Sequence, residues 1–257
     1  MANKPNVNMQ NVEKLTRVLR RLNAEETREQ GRKEALELVR EINPLELSIA
    51  EQQLIEEGVQ AEDLRDLCTI HMEVLKDELN KLKSSVEVGH PLYTMIEEHD
   101  EILKFLTELD EVNRSVQKTE EYDPQNPGFA KLKELAEKIL DAENHHLREE
   151  NVLFPELEKR GISGPPRIMR MEHDDLRLRK HKIKELAQNV GNMDYDIFKK
   201  ELNEAVQYLV FNLRDHIFKE NHILYPSAFE TLKEEGIWEK IKVDCDAIGY
   251  CSFTPKH

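Results

Sequence analysis

The sequence predicts an all-α protein, an up-down four-helix bundle preceded by a small helical domain. Three observations carry that prediction. Only 9 of 257 residues are Gly and aromatic residues make up 6%, whereas charged residues reach 35%, a balance that suits helices. From residue 91 onward, four long segments repeat apolar residues at three- and four-residue steps, the period of a helix with one buried face. Pro- and Gly-containing breaks separate them, with no β-hairpin signal and no low-complexity tract. Long amphipathic helices joined by loops of this kind pack antiparallel.

The elements follow in order. Segments 12–22 and 27–42 are predicted as short helices, the second carrying Ala35, Leu38, Val39 and Ile42 on one face. Asn43-Pro44 ends it, because the residue before a proline is pushed out of the helical region. A third helix spans 45–57 and closes at Gly58, a C-terminal capping position. The fourth, about 61–85, aligns Leu64, Leu67, Cys68, His71, Leu75, Leu79 and Leu82 in one stripe. Residues 1–86 are therefore read as an N-terminal helical domain. Gly89 interrupts the pattern, and Pro91 suits a first helical turn. The bundle helices are predicted at 91–117, 128–159, 165–190 and 194–232. Their connections are marked by Asp123-Pro124 with Pro127-Gly128, by 161–166, and by Gly191-Asn192. The bundle is placed at 87–235. Periodicity fades from Lys242, so 236–257 is expected to be a tail.

Charge and composition exclude several functions. With 52 acidic and 37 basic side chains and a net charge of −15, the chain lacks the clustered cations that phosphate backbones require, so no nucleic-acid partner is expected. No apolar run approaches the roughly 18 residues of a membrane span, and no membrane partner is expected. The opening residues MANKPNVNMQ lack a signal-peptide core. Three cysteines do not make a disulfide framework, in keeping with a reducing compartment, so a cytoplasmic location is expected. The ten histidines have no place in this account, and their positions carry the chemistry.

Two stretches resemble each other. His146-Leu-Arg-Glu-Glu150-Asn-Val-Leu-Phe154-Pro155 matches His216-Ile-Phe-Lys-Glu220-Asn-His-Ile-Leu-Tyr225-Pro226 if one residue is inserted in the second. A Glu-His-Asp triplet precedes each, Glu98-His99-Asp100 and Glu172-His173-Asp174. Residues four apart share a helix face, so each His–Glu pair points one way. His145/Glu149 and His181/Glu185 meet the same spacing, and spacing alone is weak; two extended copies with matching triplets are much stronger. Buried carboxylates are costly unless they are paired or bind a metal. One His from each of four helices, His99, His146, His173 and His216, with Glu150 and Glu220 bridging, makes a cage for two metal ions. Imidazole with carboxylate suits iron, manganese or zinc better than calcium.

These motifs resemble the hemerythrin HHE cation-binding domain family over about residues 87–232. The resemblance implies a four-helix bundle around two iron ions in a non-haem Fe–O–Fe type centre, with the six residues above as ligands; zinc or manganese is the alternative metal. Oxygen-carrying members have a further His one turn before the third-helix ligand. Here that position is Met169, which speaks against simple reversible oxygen carriage and is similar to the sensory and regulatory branches. The stretches around Gly58 and Leu67-Cys68-Thr-Ile-His71 resemble a helical domain of unknown function that precedes hemerythrin domains in prokaryotic proteins, longer relatives often ending in a PAS sensory domain.

The function expected from the resemblance is binding or sensing of oxygen, NO or oxidants such as peroxide, with the protein signalling partner unidentified. Two alternatives stand beside it: a di-iron enzyme of NO or peroxide reduction or iron-centre repair, and a metal-free helical adaptor. Among the remaining candidates, Cys68 and His71 are either a buried thiol beside a hydrogen-bonded His or a redox, NO-reactive or haem-ligating pair. His145, His222 and Glu149 are either surface groups or donors that orient a ligand. His90 is read as a helix-start residue, and Cys245 and Cys251 lack partners for a zinc site.

Overall fold

The computed structural model describes residues 82–256 together with Gln10, Glu13, Lys14, Arg17 and Leu79. The predicted domain at 1–86, with Cys68 and His71, thus lies almost wholly outside the described residues. Every regular element among the described residues is helical, and no described helix is long and apolar enough to cross a membrane.

Helix α1 spans Pro91–Gln117. His90 caps it: its Nδ1 accepts the Leu92 N–H at 3.2 Å, satisfying one of the donors a helix start leaves open, and Pro91 occupies the first turn. The second rod comprises α2 (Pro127–Asp141), capped by the Asn126 side chain, then α3 (Glu143–Arg148), a π-helical turn at Glu149–Leu153 and α4 (Phe154–Glu158). Helix α5 spans Gly164–Asn189. The fourth rod joins α6 (Tyr195–Lys219), a second π-helical turn at Glu220–Leu224 and α7 (Tyr225–Thr231).

Cross-links show the antiparallel order. Between α1 and α6, Asn113 donates to Asn203 at 2.9 Å and Arg214 to Thr107 at 2.7 Å, so one chain position rises as the other falls. Lys131 of α2 pairs with Glu108 of α1, Arg177 of α5 with Glu143 of α3, and Lys182 of α5 with Glu201 of α6. Leu106, Leu109, Leu132, Leu135, Leu186, Phe198, Leu202 and Leu209 fill the bundle interior as one apolar cluster. Their burial supplies the main drive for association.

The C-terminal stretch departs from the expected tail. Helix α8 runs from Ile237 to Ile248, between Gly236 and Gly249, whose φ values of 79° and 96° favour glycine. Ile237, Ile241 and Cys245 are buried at four-residue spacing. A thiol behaves as a small hydrophobe, so Cys245 extends a stripe that periodicity alone shows poorly. Beyond the helix, Phe253 meets the Phe105 ring edge-on at 5.1 Å.

Candidate metal centre

Toward one end of the bundle the apolar interior gives way to charge. Glu98, His99, His145, His146, Arg148, Glu149, His173 and His216 are all buried. They come from all four rods, and two pairs of imidazoles meet among them. His99 Nε2 lies 3.0 Å from His145 Nε2, and His173 Nε2 lies 2.8 Å from His216 Nε2. Glu149 stands between the pairs, its Oε2 at 3.6 Å from His145 Nε2 and 3.5 Å from His173 Nε2. Tyr225 donates its hydroxyl proton to Glu149 Oε1 at 2.8 Å, and its ring stacks on His99 at 5.4 Å. Phe154 lies across His173 at 6.1 Å.

The outer nitrogens of His145, His173 and His216 each face a carboxylate. His145 Nδ1 meets Glu98 at 2.7 Å, His173 Nδ1 meets Glu150 at 2.7 Å, and His216 Nδ1 meets Glu172 at 2.8 Å. A carboxylate accepts, so these contacts put the imidazole proton on Nδ1 and turn the Nε2 lone pair inward. Burial pushes the Glu98 carboxyl up, but the hydrogen bond and charge of His145 and the charge of Arg148 overcome this and hold it down at about 2. Glu150 is likewise raised by burial and lowered further by hydrogen bonds from His173 and Arg177, to about 2.

This arrangement fits a metal. In the His173–His216 pair, both Nδ1 protons are committed to carboxylates, and a neutral imidazole has only one. Two lone pairs would then face each other at 2.8 Å, which is repulsive unless a cation joins them. Two nitrogens each about 2.1 Å from one ion and at right angles lie about 3 Å apart, close to both observed separations.

The positions of the predicted residues are specific. His99, His173 and His216, the ligands expected from their motifs, lie among these buried imidazoles. In the second rod, the neighbouring pair His145 and Glu149 occupies the middle. Glu150, named as a bridging group, sits behind His173 and receives two Arg177 hydrogen bonds at 3.0 Å. His146 stacks face to face on His173 at 3.9 Å and offers a donor atom within 4.8 Å of those of His173 and His216. Burial first, then the charge of His173 and Lys180, pushes its pKa well below the imidazole range. Glu220 is buried at the start of the second π turn, four residues after His216. Met169 is buried one turn before His173. His222 is half-buried with its ring 4.7 Å from Phe218. Cys245 and Cys251 are buried free thiols, pushed up by burial to about 11 and about 12, so neither offers a thiolate.

Sequence reasoning missed the outer carboxylates Glu98 and Glu172 and the π turns. The signal was present. Aligned on Pro155 and Pro226 without a gap, the two repeats place His145 opposite His216 and Glu149 opposite Glu220. Both π turns then fall on the same five positions, 149–153 and 220–224. Proline explains the turn: in an ordinary helix Pro155 would clash with the carbonyl four residues back. The π turn widens the backbone there, and the Phe154 N–H bonds the Glu149 carbonyl.

Comparison with known proteins adds two family matches. The hemerythrin HHE cation binding domain matches residues 90–228, and a family of unknown function, DUF438, matches residues 15–81. Similar curated proteins include the iron-sulfur cluster repair protein YtfE of Yersinia pseudotuberculosis serotype IB (strain PB1/+), 30% identical over 136 residues, covering 51% of this chain and 60% of that protein. YtfE of Salmonella schwarzengrund (strain CVM19633) is 30% identical over 89 residues, covering 33% of this chain and 40% of that protein. YtfE of Enterobacter sp. (strain 638) is 33% identical over 90 residues, again covering 33% and 40%. The chain thus spans about half the length of these relatives.

Proposed function

Because this chain belongs, through residues 90–228, to the hemerythrin HHE cation-binding domain family, we propose that it is a non-haem di-iron protein acting in the repair of damaged iron centres. His99 and His145 would hold one iron, His173 and His216 the other, with Glu149 as a carboxylate that joins them. His146 stands as an additional imidazole beside the second ion. The observation that carries the reading is the His173–His216 pair: two imidazoles with both outer protons engaged, whose Nε2 atoms meet at 2.8 Å. Repair is favoured over sensing by the similar proteins named for iron-sulfur cluster repair.

Bound iron would supply redox chemistry and open positions for oxygen, NO or peroxide. The chain's own residues prepare for that. Glu98, Glu150 and Glu172 keep the imidazole protons on the outer nitrogens, fixing ring orientation and strengthening the inner donors. The Tyr225 hydroxyl holds a proton 2.8 Å from Glu149 Oε1 and steers that oxygen. The Phe154 and Tyr225 rings limit water around the imidazoles.

The test uses full-length protein loaded anaerobically with ferrous iron and added to an NO-damaged [4Fe–4S] enzyme. Recovery of that enzyme's activity with the loaded protein, and none with the iron-free protein, supports the proposal. Iron binding and a spectral response to NO without recovery would replace repair with sensing. Failure to bind iron would leave the metal-free adaptor.

A further inference from the structure

The two halves of the centre are secured unequally. Behind His173 and His216, the orienting carboxylates reach toward solvent, with side-chain exposures of 17% for Glu150 and 30% for Glu172. Behind His145, Glu98 is 0% exposed. Its burial is completed by the segment that follows α8. Thr254 donates its hydroxyl proton to Glu98 Oε1 at 2.5 Å, and Arg148 donates to both Glu98 oxygens at 2.7 and 2.5 Å. The same segment seats Arg148: the Tyr250 ring lies 4.6 Å from its guanidinium, and Cys251 Sγ is 4.0 Å from Nη2. The segment is itself fixed to the bundle. Asn144 donates to the Tyr250 carbonyl at 3.0 Å, the Ser252 N–H bonds Asp141 at 2.5 Å, and Phe253 packs on Phe105.

Glu98 therefore has its acceptor sites occupied by Thr254, Arg148 and His145, and cannot turn away from His145 without leaving a buried charge unmatched, a costly state. The geometry points to Thr254 as a positioning residue for the metal centre: the segment Tyr250–Thr254 locks Glu98, and through it His145, so that the ion held by His99 and His145 leaves more slowly than the ion held by His173 and His216. The inference rests on the proposed metal-binding role of the site, not on repair. It assigns a function to the C-terminal segment and makes one of the two ions the exchangeable one.

The experiment follows release of ferrous iron from loaded full-length protein to excess phenanthroline under anaerobic conditions, alongside iron content and thermal melting. Wild type should lose iron in two phases of one ion each. Thr254→Val, which keeps shape but removes the hydroxyl, should speed the slow phase about 10-fold, the lower end of the effect of changing the groups that orient a metal-bound His, and leave the fast phase unchanged. Thr254→Ser should restore wild-type release. A single phase in wild type, equal acceleration of both phases in Thr254→Val, no acceleration, or failure of Thr254→Ser to restore it would overturn the inference. A wild-type protein that takes up no iron would instead overturn the proposed metal site.

Discussion

At the scale of single residues, one carboxylate position decides the centre. Glu149 and Glu150 are successive residues of one helical turn and so point in different directions. One reaches between the imidazole pairs, and the other faces Arg177. The same holds for His145 and His146. His145→Ala is expected to lose about one iron per chain, because it removes one of two imidazoles on that ion. His146→Ala should retain both ions. Iron analysis of the two variants checks this, and the reverse outcome would return the centre to His146. The sequence made the histidines legible but not which of two neighbouring His–Glu pairs stands between the others, because allowing a gap between the repeats cost nothing to the pattern while moving the match from His145 and Glu149 to His146 and Glu150. His90 gives a second prediction at this scale. Burial pushes its pKa down from about 6.5 to about 4, against the opposing charge of Glu239, and neutrality is what lets Nδ1 accept the Leu92 N–H. A lowered folded value means that this contribution is whole above pH 6.5, and is lost as pH falls toward 4, where the unfolded chain takes the proton more readily. Iron-free His90→Asn, which keeps a capping acceptor, should show a shallower fall in urea stability across that window than the iron-free wild type.

Among the elements, helix limits were well marked, since prolines at 91 and 127 and the breaks at 161–166 and 191–192 leave the backbone little choice. The structure begins α1 at Pro91, α2 at Pro127 and α5 at Gly164. What the pattern of apolar residues did not show was the change of helical type at 149–153 and 220–224. A π turn alters side-chain phase for a few residues only, less than a periodicity window detects. Helix α8 was missed for a different reason: its stripe is short and ends on a cysteine. As an element packed into the fold, it makes Ile241, which is 0% exposed, a core residue. Ile241→Ala should cost about 2–5 kcal/mol in urea unfolding, the range for removing a buried branched side chain. A change below about 0.5 kcal/mol, as at an exposed site, would mean that the helix does not pack as described.

Across the whole molecule, the acidic excess of the sequence divides into two parts. Among the described residues, one part is helical surface, paired in exposed contacts such as Lys138–Glu134 and Lys242–Asp246, which add little stability. Another part, Glu98 and Glu149, is buried beside the histidines, where negative charge would offset a bound cation. Family membership and helical class were legible because they depend on motifs and periodicity spread over many residues. The outer carboxylates were not, because each serves a His on another helix, 47 residues away for Glu98 and His145 and 44 for Glu172 and His216. The most direct test of the central claim is iron content with the visible spectrum of protein purified anaerobically, before and after admission of air. Two irons per chain, with a charge-transfer band that develops on oxidation, is the predicted result. A colourless, spectrally unchanged protein without stoichiometric iron would contradict it.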